Sequence, residues 1–179
     1  MANLDKIDIR LLSLLQADGR ISQHELSRAV GLSAPAVSDR LRKLEERGVI
    51  RGYSAVLEAK ALDLDVTAFI VVGMNGSRSY PEFRKRVADR AEVLESHAVT
   101  GEGSHLLKVR TWNSSSLEQL LADIQSWPGV QWTTTSIVLS TLKETSGVSL
   151  DALDPKSSEA EEHRHGDMLR VPFRHQPSI

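Results

Sequence analysis

"GLSAPAVSDRLRKLEERGVI", residues 31–50, decides how the first third of the chain folds. Gly31 offers a tight turn, Ser33 an N-cap and Gly48 a stop, so the stretch reads as one capped helix between two glycines. Pro35 falls in its first turn, where no intrahelical N–H bond is lost. At about 100° per residue, Val37, Leu41 and Leu44 share one face, which must be the core side. The opposite side carries Pro35, Asp39, Arg42 and Glu46, with Ala36 and Lys43 at one edge and Ser38 at the other. Its N-terminal half is therefore small or hydrogen-bonding: Ala34, Pro35, Ala36, Ser38 and Asp39. Small residues let a helix approach base edges in a major groove about 12 Å wide. Arg42 can then reach a base edge, while Arg40, nearer the core side, suits a phosphate. The plainer alternative is that Asp39–Lys43 and Arg42–Glu46 are surface pairs four residues apart, each worth a few tenths of a kcal/mol.

The residues upstream favour the first reading. "LDKIDIRLLSLLQADGR", residues 4–20, spaces Leu4, Ile7, Leu11, Leu14 and Leu15 as a helix that stops at Asp18-Gly19. Ser22 and Glu25 form a capping box for a short second helix, with Leu26, Ala29 and Val30 on its inner side. Helix–"VGLS"–helix is the helix-turn-helix arrangement, whose second helix enters the groove while the first crosses the backbone. Charge agrees locally. The 179 residues carry a net charge of −2, yet Arg40, Arg42, Lys43, Arg47 and Arg51 face only Asp39, Glu45 and Glu46 around this helix.

From Gly48 the pattern changes. "GVIRGYSAVLEA", residues 48–59, alternates between glycines and predicts a short wing or strand. "LDVTAFIVVGM", residues 64–74, predicts a buried strand, and "SYPEFRKRVADRA", residues 79–91, a helix with Tyr80, Phe83, Val87 and Ala91 on one face. "EVLESHAVTGEGSHLLKVRTW", residues 92–112, divides at Gly101–Gly103 into a hairpin. Leu117, Leu120, Leu121 and Ile124 mark a further helix, and "QWTTTSIVLSTLK", residues 131–143, a last strand. The expected architecture is α+β: a winged helix-turn-helix over residues 1–54, a linker over 55–65, a ferredoxin-like βαββαβ domain over 66–146 and a flexible tail over 147–179.

The remaining composition narrows the function. The chain has no cysteine, which removes disulfides, thiol catalysis and thiolate metal sites. The start lacks a basic segment before an apolar run, and "VTAFIVVGM" is far shorter than the roughly 20 residues of a membrane span, so a cytoplasmic protein is expected. His24, His97 and His105 have no acid at fixed catalytic spacing, and no nucleophile elbow, P-loop or GxGxxG occurs. His163 and His165 with Glu161 and Glu162 form at best a loose metal set in a solvated tail, so neither metal nor cofactor is expected.

Residues 4–53, together with "VTGEGSHLLKV" (99–109) and "PGVQWTTTSIVLSTLKE" (128–144), resemble the Lrp/AsnC, or feast/famine, transcription factors over roughly residues 3–146. The resemblance implies a regulator of amino-acid metabolism genes that binds double-stranded DNA, dimerises through its α/β domain and assembles into octamers. On this reading Ser33, Ala34, Pro35, Ala36, Ser38, Asp39, Arg40, Arg42, Lys43 and Arg51 are the candidate DNA contacts. In that family the glycine turn lies where dimers meet and helps bind an amino acid. This assigns Gly101, Glu102, Gly103 and Ser104 to an effector site, bare amides suiting a carboxylate and Glu102 an ammonium group. Ser104 stands where aspartate is frequent and His105 where an aromatic is common. Thr134, Thr135 and Ser136 are candidates for the same pocket, although threonines on strands are ordinary. Two other classes use this scaffold or surface. Some similar proteins decarboxylate tetrapyrroles, typically with an impaired DNA-reading helix, whereas this helix keeps Arg40, Arg42 and Lys43. An architectural wrapper with little sequence preference is the other.

Overall fold

Leucine spacing and capping residues together fix three short helices: α1 (Lys6–Ala17), α2 (Gln23–Val30) and α3 (Ala34–Glu46). The computed structural model describes residues 4–150 and Leu153. Each helix begins with a side-chain cap. Asp5 and Asp8 close a capping box on α1, Ser22 and Glu25 one on α2, and the Ser33 hydroxyl accepts from the Ala36 amide. Gly31, at φ 70°, ends α2 in the left-handed conformation that lets the chain turn into α3. Leu11, Leu12, Leu26, Val37, Leu41 and Leu44 form the core, and Val30, Leu32, Val49 and Ile50 pack against it. On α2 the expected inner position Ala29 is exposed; Ser27 is buried instead and satisfies its hydroxyl on the Gln23 carbonyl at 2.7 Å.

The wing forms no strand among the described residues. Residues 51–58 run without ladder hydrogen bonds, leaving Val56 and Leu57 in solvent, because no second strand lies beside them to pair. Tyr53 is tied back, its hydroxyl donating to Glu45 at 3.0 Å. The linker contains a 3₁₀ turn, Ala59–Leu62, that apolar periodicity did not predict.

The described residues divide into two compact units, 4–55 together with 145–150, and Val56–Glu144. The tail expected from 147 thus begins as part of the first unit. The Gln16 amide group donates to the Val148 carbonyl at 3.1 Å and accepts from its N–H at 2.7 Å, and Leu150 packs on the helical core. The reason is local: a backbone N–H and C=O find one side chain with both a donor and an acceptor. The metal set proposed at His163 and His165 lies outside the described residues.

The second unit is β1 (Val66–Met74), α4 (Tyr80–Ala88), β2 (Val93–Ala98), β3 (His105–Thr111), α5 (Ser114–Gln125) and β4 (Val130–Ile137). The strands form one antiparallel sheet in the order β2-β3-β1-β4, as the βαββαβ reading requires. One face is covered by both helices. Ala68, Ile70, Val72, Leu107 and Val109 meet Phe83 of α4 and Leu117, Leu120 and Ile124 of α5, with Trp127 closing the end. α4 stops at Ala88, so Ala91 falls outside it and is exposed. The other face has no helix over it. Cross-strand pairing puts Phe69, Val71, Leu106 and Trp132 there, half-buried or exposed. Of the cations on this face, Lys108 is paired with Glu95 and Glu144, and Arg110 with Glu144.

Candidate DNA-reading and effector sites

The core side of α3 fixes which residues it can present. With Val37 and Leu44 almost wholly buried, the helix cannot rotate, and Ser33, Ala34, Pro35, Ser38, Arg42 and Lys43 are exposed. Ala36 and Asp39 are half-buried at the edges, and Arg51 is exposed beyond the helix. Eight of the ten candidate positions thus lie along the outer side and edges of α3 and its cap.

Arg40 is the exception on α3. Its Nη1 lies 2.7 Å from Asp5 Oδ2 and 2.7 Å from Asp8 Oδ1, the same two carboxylates that cap α1. Its side chain is 30 % exposed, against 56 % for Arg42. The Asp8 N–H and then Arg40 hold the Asp5 carboxyl below its ordinary range, while Asp5 and Asp8 raise the guanidinium above its own. Arg40 therefore clamps α3 to the start of α1, a role that the sequence reading did not give it. The D-x-x-D cap is legible in sequence; its partner, more than thirty residues away, is not.

Arg42 and Lys43 form the surface pairs foreseen as the plainer alternative. Arg42 lies 2.6 Å from Asp39 and 2.5 Å from Glu46, and Lys43 lies 2.6 Å from Asp39. Asp39 is consequently held below the usual carboxylate range, first by Lys43 and then by Arg42. These bonds do not exclude contact with DNA. An exposed pair is worth about 0–1 kcal/mol, against about 1–3 kcal/mol for a bidentate guanine contact, so the two pairs do not commit Arg42 to its own helix.

The 100–104 turn is fastened from one side. Ser104 donates its N–H to the Val72 carbonyl at 2.8 Å and accepts from Val99 N at 3.1 Å, and its hydroxyl accepts from Met74 N at 3.4 Å. Ser104 thus anchors the turn on β1 through its N–H and its hydroxyl oxygen. Among the described residues no hydrogen bond engages the amides of Gly101, Glu102 or Gly103. Gly101 and Glu102 are exposed, and Gly103 is half-buried at φ 89°. A Cβ at Gly103 would stand 2.4 Å from Val71 Cγ1 and 3.3 Å from the Val72 carbonyl, so only glycine fits.

The three β4 candidates do not share a face. Thr134 pairs with Val71 and Ser136 with Phe69, on the open side of the sheet. Thr135 pairs with Ile70 and so faces the helices, as Thr133 does in accepting from Gln125 Nε2 at 2.9 Å. Strand alternation excludes Thr135 from a pocket with its neighbours. One residue the sequence reading passed over joins the turn instead. Trp132 pairs with Gly73, where an added Cβ would lie 2.2 Å from indole Cε2, and its Cη2 reaches 3.4 Å from the corresponding point at Gly103. A glycine inside a strand marks such close approach, and that was the available signal. His105, next in the chain, points the other way. It is buried between Tyr80 and Phe83 with Nδ1 unpartnered, and burial, then Arg84, lowers its pKa below the ordinary 6.5.

Comparison with known proteins divides the chain in the same way. A winged helix-turn-helix DNA-binding model matches residues 4–51, and the Lrp/AsnC ligand-binding domain matches residues 67–148. The chain is 39 % identical over 142 residues to the HTH-type transcriptional regulator FL11 of Pyrococcus horikoshii, covering 79 % of this chain and 93 % of that protein. It is 37 % identical over 145 residues to the leucine-responsive regulatory protein of Escherichia coli, covering 79 % and 88 %. A Neisseria meningitidis transcriptional regulator solved with L-methionine superposes with a TM-score of 0.80 at 35 % identity, covering 84 % of this chain and 99 % of that one.

Proposed function

The chain belongs to the Lrp/AsnC family of transcriptional regulators, and we propose that it is a cytoplasmic, sequence-specific regulator of amino-acid metabolism genes whose DNA binding an amino acid adjusts through oligomer assembly. The observation that carries the reading is the exposed surface of α3: small residues at its N-terminal end, then Arg42 and Lys43, opposite a buried anchor. Base edges are assigned to Ala34, Pro35, Ser38 and Arg42, phosphates to Ser33, Lys43 and Arg51.

The open sheet face supports a dimer. Packing two such faces would bury Phe69, Val71 and Leu106, and the neutralised Lys108 adds no uncompensated charge. At the turn, the unbonded amides of Gly101–Gly103 suit a carboxylate and Glu102 suits an ammonium group. A ligand held where dimers meet shifts assembly only by its differential affinity for the assembled form. Changing the number of linked dimers then changes how many half-sites are engaged at once.

The test is selection of duplexes from a random pool by the purified protein, with and without a panel of amino acids. Enrichment of two-fold sites with half-sites about 34–36 Å apart, altered by one class of amino acid, is the expected result. Equal retention of all sequences would make the protein an architectural wrapper.

A further inference from the structure

Beside the 100–104 turn lies an indole whose placement the proposed effector site does not by itself explain. Trp132 is on the helix-free face of the sheet, yet it does not stand up from the strand. Its ring lies down on Gly73, the cross-strand partner, where no side chain could fit beneath it. The benzo edge ends at Gly103, the most constrained residue of the turn. Two glycines, one in the strand and one in the turn, thus make room for one flat ring. The ring stays 41 % exposed, so one surface is seated on the backbone and part of the other is open.

From these contacts we infer that Trp132 is the specificity wall of the effector site, and that the effector is an α-amino acid with a large apolar side chain, aromatic or thioether. The inference rests on the proposed effector site at the turn and adds the side-chain class to it. An amino acid whose carboxylate meets the free amides of Gly101–Gly103 has its Cα next to the Gly103 end of the indole. Its side chain can then run along the ring. Aromatic rings stack on such a surface, and a thioether sulfur packs favourably against it. Small side chains leave the ring in water, and a carboxylate side chain would lie against the negative face of the π-system. Val71, packed on Gly103, extends the apolar floor.

Titration calorimetry on the full-length protein and on Trp132→Ala tests this with L-phenylalanine, L-methionine, L-alanine and L-aspartate as probes. The wild type should bind L-phenylalanine or L-methionine at least tenfold more tightly than L-alanine or L-aspartate. Trp132→Ala should reduce that preference to within about threefold while still binding, and Trp132→Phe should restore most of it. Binding of all four probes with equal affinity, or an unchanged preference in Trp132→Ala, would overturn the inference and leave the effector site standing. Absence of binding by any probe would overturn both. Sedimentation of Trp132→Ala separates the remaining possibility. A variant that falls apart into monomers, with its probe preference intact, would show that the ring serves the sheet–sheet contact and is no specificity wall.

Discussion

On α3 the exposed polar groups are side chains, and on the 100–104 turn they are mainly backbone amides. Ser38, Arg42 and Lys43 project from a helix whose other side is sunk in leucine and valine, so their direction follows from 3.6-residue periodicity. The turn offers bare amides and two glycines, and what lies beside it depends on strand register. The difference teaches where each unit is vulnerable. The first unit rests on a small core beneath the exposed side of α3, whereas the second has a larger core and a sheet face with no helix over it.

The most drastic way to test that division is a charge on the uncovered face. Phe69→Glu should leave the second unit folded, because Phe69 points away from its core, but should weaken the proposed dimer by about 3–5 kcal/mol through an unpaired buried carboxylate. Sedimentation should show monomers at micromolar concentration; an intact dimer would place the interface elsewhere. Leu44→Ala attacks the other unit. Loss of this almost fully buried side chain should cost the helical unit about 2–5 kcal/mol. DNA binding should fail at a temperature where amino-acid binding persists, and simultaneous loss of both would deny that the units are separable.

Smaller changes sharpen the comparison. Arg40→Ala should lower the melting temperature of the first unit by the equivalent of about 1–2 kcal/mol, for two charge-assisted bonds partly in water. It should reduce binding to selected and random duplexes alike. Ending the chain after Gly147 removes the Gln16–Val148 pair and Leu150 from the same unit. A loss of about 1 kcal/mol is expected there, with the second unit unaffected. The second unit has its own mild test. Because burial depresses the His105 pKa, the unfolded chain binds the proton more readily, so stability is complete above 6.5 and declines as pH falls from there through the folded value. Melting curves should show the decline in the wild type and not in His105→Phe.

How much of this was legible in the sequence follows the same division. Caps, leucine spacing and the Gly31 turn predicted α1–α3 closely, because each is a local rule with its partner three or four residues away. The sheet order was legible too, since β-α-β-β-α-β with short connections leaves few topologies. What escaped was long-range and singular. The Arg40 clamp, the seat of Trp132 on Gly73 and the return of Val148 to Gln16 each join residues far apart in the chain. Thr134 and Thr135 show the finer limit. Their type suggested a shared pocket, but the two-residue period of a strand puts them on opposite faces.

The central claim is that α3 reads sequence with side chains that are idle in its own fold, and Arg42→Ala tests it most directly. Arg42 is exposed, far from the core and held only by Asp39 and Glu46, so its loss should not move the melting temperature measurably. Binding of the variant to a selected duplex and to a scrambled one of equal length should be measured at one salt concentration. The account predicts a loss of about 1–3 kcal/mol on the selected duplex and little change on the scrambled one. An equal loss on both would make Arg42 a phosphate contact and leave α3 without the base-reading role assigned to it.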